Sequence, residues 1–130
     1  MTSTIERTHA SEGYHCPTDW RQIDWRKAER TVRTLRFRIF RATQQQQKRK
    51  VRSLTKLLLR SYSNALVSTR RVTQVNRGRN TPGIDGEIAD TPEKRGRLVE
   101  ELRRYEPWKA SPARRVYISK ANGKVRPIGI

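Results

Sequence analysis

Ala28-Glu29-Arg30-Thr31-Val32-Arg33-Thr34-Leu35-Arg36-Phe37-Arg38-Ile39-Phe40-Arg41-Ala42 sets apolar residues at 28, 32, 35, 39 and 42, at spacings of four, three, four and three. That is the period of one stripe on an amphipathic helix. Arg33, Arg36, Arg38 and Arg41 fall largely off the stripe, so one face can pack while the remainder carries charge. A second stripe follows. Val51, Leu54, Leu58, Ala65 and Val72 keep heptad spacing, with Leu57, Leu59, Leu66 and Val67 broadening the apolar side, and predict a helix from about Lys50 to Val75. Asn76 and Gly78 supply its stop. The glutamines Gln44–Gln47 between the stripes either continue the first helix or form a loop. Two stripes joined by a short connection predict an antiparallel helical hairpin.

These helices are strongly basic. Between Arg30 and Ile84 the chain holds 15 of its 30 Lys and Arg and none of its 12 carboxylates. Arg30, Arg33, Arg36, Arg38, Arg41, Lys48, Arg49, Lys50, Arg52, Arg70, Arg71, Arg77 and Arg79 belong to this stretch, and Arg114 and Arg115 add to it downstream. One-signed charge at this density repels itself, and a polyanion relieves the repulsion. A merely solvated face would interleave both signs. Arginine dominates, and its planar fork suits phosphate oxygens and can stack on bases. Nucleic-acid binding is the expectation for these residues.

With 130 residues and 33% hydrophobic content, the chain is expected to be marginal alone or to lean on a partner. Cys16 is its only cysteine, so there is no disulfide framework, and His15 beside it does not make a metal site without further ligands. No apolar run approaches a membrane span, and residues 1–17 lack the core of a signal peptide. A soluble, cytoplasmic protein without a membrane partner is expected.

Around the helices, residues 1–18 read as a polar, mobile tail and 19–90 as a basic helical unit opened by Trp20, Ile23 and Trp25. Asn80-Thr81-Pro82-Gly83-Ile84-Asp85-Gly86 is dense turn chemistry. Thr91-Pro92 starts a third helix, hydroxyl at the N-cap and proline at the first position. Leu98 and Leu102 are its expected packing stripe, and Pro107 lies beyond its end. After Pro112 the period becomes two: Val116 and Ile118 alternate with Tyr117 and Ser119, Asn122-Gly123 signals a hairpin, and Val125 starts the return. Pro127 implies that the return strand is an edge. The fold class is thus α+β, with residues 91–130 a helix plus a C-terminal β-hairpin of an incomplete subdomain.

Trp20, Ile23 and Trp25, the two basic helices, Val72-Thr73-Gln74-Val75-Asn76-Arg77-Gly78-Arg79-Asn80-Thr81-Pro82-Gly83-Ile84-Asp85-Gly86, and Arg114-Arg115-Val116-Tyr117-Ile118-Ser119-Lys120-Ala121-Asn122-Gly123-Lys124-Val125-Arg126-Pro127-Ile128-Gly129-Ile130 resemble, in this order, the N-terminal part of group II intron-encoded reverse transcriptases, the maturases. The likeness runs from about Asp19 to Ile130. It implies that the first segments form an N-terminal extension gripping template and intron RNA, and that the hairpin is the first fingers block. Lys120 and Arg126 match the basic pair that contacts the triphosphate of the incoming nucleotide, and Lys124 lies outside that pair. Ser119 departs from the proline usual before the lysine.

The resemblance also implies what this stretch does not supply. Nucleotidyl transfer needs two metal ions on palm carboxylates, which in the family come from later blocks including a Tyr-Ala-Asp-Asp turn, and Glu106 is the last acid here. The expectation is an RNA-binding segment with no catalytic residue and no metal site, inactive alone, with Mg²⁺ relevant only in a completed polymerase. The alternatives are a subunit completed in trans by a palm- and thumb-bearing chain, and a standalone RNA chaperone.

Overall fold

The computed structural model describes residues 17–104 and 109–130. Residues 1–16 of the expected tail, the His15-Cys16 pair, Glu106 and the helix stop at Pro107 lie outside the described residues.

A 3₁₀ turn, Trp20–Gln22, precedes α1, Trp25–Gln44. Asp19 and Asp24 cap them, each carboxylate accepting from a backbone N–H at 3.0 Å, from Arg21 and Lys27 respectively. The Gln45–Gln47 segment reverses the chain instead of continuing the helix. The N–H of Gln47 reaches the Ala42 carbonyl at 2.9 Å and that of Gln46 reaches Thr43 at 3.0 Å. This double closure needs a left-handed residue, and Gln46 supplies it with φ of 54° where glycine is usual.

The second predicted helix is two. α2, Lys48–Arg60, ends at Ser61, and α3, Tyr62–Arg70, begins there. Ser61 is extended (ψ 128°); its N–H bonds the Leu58 carbonyl at 3.1 Å while its hydroxyl accepts from Asn64 N–H at 3.4 Å. One residue therefore closes one helix and caps the next. The last predicted turn, Arg71–Val75, is wound as a π-turn, closed by the Asn76 N–H on the Arg71 carbonyl at 2.8 Å. The antiparallel return still holds: α1 lies against α2 and α3, and Arg70 at the end of α3 pairs with Glu29 near the start of α1 at 3.1 Å.

Trp20, Ala28, Ala65, Leu66 and Val99 form the buried cluster, with Ile23, Trp25 and Val67 packed on it. The Trp20 and Trp25 rings meet edge to face at 4.8 Å, an arrangement that suits the aromatic quadrupole. Val32, Leu35, Ala42 and Leu54 are also buried, whereas Leu57 and Leu59 stay about half exposed rather than extending the apolar side.

α4, Pro92–Arg104, starts as expected, with the Thr91 hydroxyl accepting from Lys94 N–H at 3.2 Å. Its packed face differs from the expected one. Val99 is fully buried and Gly96 buried, while Leu102 is 47% exposed and Leu98 half-buried. The reason is Thr18. A Cβ on Gly96 would stand 2.5 Å from the Thr18 carbonyl oxygen, so the chain entering the helical body crosses α4 at the one position without a side chain. Thr18 itself, assigned to the tail, hydrogen-bonds Tyr62 at 3.1 Å and the Glu100 carboxylate, so the packed body reaches back to it.

β1, Arg115–Ser119, pairs antiparallel with β2, Val125–Gly129, in the register Val116 to Ile128 and Ile118 to Arg126. The connection is one residue longer than an Asn-Gly two-residue turn. Lys120 N–H bonds the Lys124 carbonyl at 2.7 Å, Gly123 N–H bonds Lys120 at 3.0 Å, and Gly123 takes φ of 77°, the three-residue loop with glycine in the left-handed position. Arg114 and Ile130 exchange both backbone bonds at 2.9 Å. Alternation from there puts Tyr117 and Pro127 in a non-hydrogen-bonded pair, so the absent proline N–H costs the ladder nothing. The whole is an α+β arrangement of helices with a C-terminal two-stranded hairpin.

Candidate nucleic-acid interface

Arg30, Arg33, Arg36, Arg38 and Arg41 on α1, and Lys48, Arg49, Lys50 and Arg52 on α2, are all exposed. They are brought together because both helices spend their apolar stripes on each other and on α3. Gln45–Gln47 folds the two basic segments side by side, and at this turn Arg38, Arg41 and Lys50 line a cleft of about 320 Å³ with Ala42 and Gln45. Three cations and no carboxylate make a place where a phosphate would be well held.

Most of the described carboxylates are engaged elsewhere. Asp19 and Asp24 cap helices, Glu29 holds Arg70, Glu93 pairs with Arg21 at 3.0 Å, and Asp90 pairs with Lys94 at 2.7 Å. The hydrogen bond from the Lys94 ammonium, with a backbone bond beside it, holds the Asp90 carboxyl below its ordinary range. Among the described residues no three His, Cys, Asp or Glu gather closely enough to hold a metal ion. The catalytic Mg²⁺ that the resemblance attaches to a complete polymerase therefore has no fitting donor set there, and no metal-assisted step is assigned to them.

Not every expected cation joins this face. Arg70 is half-buried, with its guanidinium 4.6 Å from the Trp25 ring centroid and paired with Glu29, so it ties α3 to α1. Arg71 lies in the π-turn; Arg77 and Arg79 lie in a run of tight turns beyond it, where Asn76 accepts from Gly78 N–H and Asp85 from Glu87 N–H, both at 3.1 Å. All three are exposed. Arg114 and Arg115 stand at the open end of the hairpin.

At its other end, pairing of Lys120 with Lys124 and of Ile118 with Arg126 sets Lys120, Lys124 and Arg126 on one face, the face that also carries Val116, Ile118 and Ile128. The two cations matched from sequence thus share a face, and Lys124, left outside the pair, shares it with them.

Two residues were missed. Phe37 lies nine residues, roughly two and a half helical turns, from Ala28 and so opposite the buried stripe. It is 58% exposed and Phe40 57%. The signal was present, since both fall off the heptad positions, but an amphipathic reading treats every off-stripe position as solvent-facing.

A family model for the N-terminal domain of reverse transcriptase matches residues 20–102. Protein YkfC of Escherichia coli strain K12 is 40% identical over 74 aligned residues, which cover 50% of this chain and 18% of that protein. The chain therefore spans less than a fifth of the length of this curated relative. No solved structure gives a significant match. Among the described residues no helix is long and apolar enough to cross a membrane.

Proposed function

We propose that this chain, which belongs to the reverse transcriptase N-terminal domain family, is the RNA-gripping N-terminal segment of a group II intron reverse transcriptase, or maturase. Residues 19–90 act as the RNA-binding extension, and residues 91–130 begin the fingers. The observation that carries the reading is the face built by α1 and α2, where exposed cations meet at the 320 Å³ cleft, whose lining holds no carboxylate. Phosphate contacts position a nucleic acid without reading its sequence, which suits a segment that holds the template or the intron RNA. Lys120 and Arg126 serve the triphosphate only when a palm and thumb are joined to this segment, in the same chain or from a second one.

Salt titration of the full chain on a single-stranded RNA tests the proposal. Log affinity is expected to fall linearly with log salt, by a slope of about 0.7 for each phosphate neutralised. A flat response would remove electrostatic RNA binding from the reading. The 130-residue chain alone is expected to show no primer extension with magnesium or manganese, because the described carboxylates are not grouped to hold the metals. Extension by the pure chain would overturn the assignment of a binding segment and point to a complete enzyme.

A further inference from the structure

We propose that the outer face of α1 is a stacking platform for single-stranded RNA, with Phe37 and Phe40 receiving bases and the arginines around them receiving the phosphates. The inference rests on the RNA-binding reading above and specifies how the strand is held. Scattered exposed apolar residues need no explanation. These two differ in spacing and in surroundings. They stand three residues apart on one helix, a separation at which side chains are neighbours, and both are more than half exposed. Their flanks are Arg33, Arg36 and Arg41, all exposed. Arg41 belongs to both halves of the device: its guanidinium lies 5.9 Å from the Phe37 ring centroid, and it lines the cleft with Arg38 and Lys50.

The chemistry selects the occupant. An apolar protein surface laid over the phenylalanines would bury unpaired arginines, at high cost. A second copy of the chain would bring one face of this +18 polypeptide against another and meet like-charge repulsion. A single strand offers what the face lacks, anions spaced along a backbone and unstacked π-faces between them. A duplex offers the anions alone, its bases being stacked on one another. Aromatic rings beside a basic groove are a general means of holding single strands without sequence preference.

The test compares a short oligoadenylate RNA with an abasic strand of equal length and backbone charge, using the full chain with Phe37→Ala, Phe40→Ala and Phe37→Leu. The wild-type chain should prefer the oligoadenylate. Each alanine should weaken that complex about tenfold and leave abasic binding unchanged. Phe37→Leu, which keeps apolar area without a π-face, should behave like the alanine variant. Equal wild-type binding of the two strands, or full retention by Phe37→Leu, overturns the platform while leaving phosphate-driven RNA binding intact. Binding to neither strand overturns both. Sedimentation adds a further outcome: self-association that the alanine variants abolish, with base preference unchanged, would make this face a contact between copies and reject the proposal.

Discussion

Reversing Arg33, Arg36 and Arg41 together to Glu is expected to lower affinity for single-stranded RNA by about two orders of magnitude near physiological salt, alike for all sequences. A slope of about 0.7 per phosphate makes each contact worth roughly fourfold at ~0.15 M salt relative to molar salt. Three contacts account for about fiftyfold, and the new carboxylates add repulsion where attraction stood. The same titration should show a shallower dependence on salt. The substitutions should not disturb the fold, because all three residues are exposed and lie off the Ala28, Val32, Leu35 and Ala42 stripe. Arg70→Glu is the internal control. That change removes the Glu29 pair and the Trp25 contact, so its main consequence should be a lower Tm. If the triple reversal left affinity unchanged, the strand would lie elsewhere, the turn-rich segment with Arg77 and Arg79 being the next place to look. If Arg70→Glu reduced affinity as much without lowering Tm, the separation between structural and RNA-facing cations would be wrong.

That separation was not legible from the sequence, and the reason is physical. Periodicity reports which side of a helix is apolar, and it found Ala28, Val32 and Leu35 correctly because a stripe is a local property. It does not report which off-stripe residues find partners, since partners come from elements far along the chain. Glu29 and Arg70 stand 41 positions apart and meet only because the chain reverses at Gln45–Gln47. Ser61 escaped for a different reason. Leu58 and Ala65 are one heptad apart, so the apolar count runs through the break undisturbed, and only the paired roles of Ser61 as stop and cap separate α2 from α3. The presence of the hairpin needed nothing beyond alternation and the Asn122-Gly123 signal, but its register did not follow from them: a two-residue loop would pair Ala121 with Lys124, whereas the three-residue loop pairs Lys120 with Lys124. Two strands with both faces largely exposed bury little, so this hairpin is expected to be marginal by itself, with rapid amide exchange over residues 114–130.

Gly96→Ala is expected to destabilise the helical body by about 1–3 kcal/mol, although propensity alone argues the reverse. Alanine in the interior of an exposed helix is favoured over glycine by about 1 kcal/mol, and Gly96 lies well inside α4. Here the added methyl would stand 2.5 Å from the Thr18 carbonyl oxygen. That atom is backbone and cannot rotate away, so the 17–19 segment must lift from α4. Lifting it strains the hydrogen bonds of Thr18 with Tyr62 and Glu100 and shifts Asp19, which caps the turn holding Trp20. Trp20 belongs to the small buried cluster with Val99, so the disturbance reaches the core directly. For a domain of this size the loss corresponds to a fall in Tm of roughly 4–8 °C per kcal/mol. Arg97→Ala, at the exposed neighbouring position, should change stability by no more than about 0.5 kcal/mol and controls for helix propensity. A thermal melt that rises for Gly96→Ala would show that the 17–19 segment does not press on α4 in solution. The glycine would then be an unoptimised helix residue, and the packing of Trp20 would need another explanation.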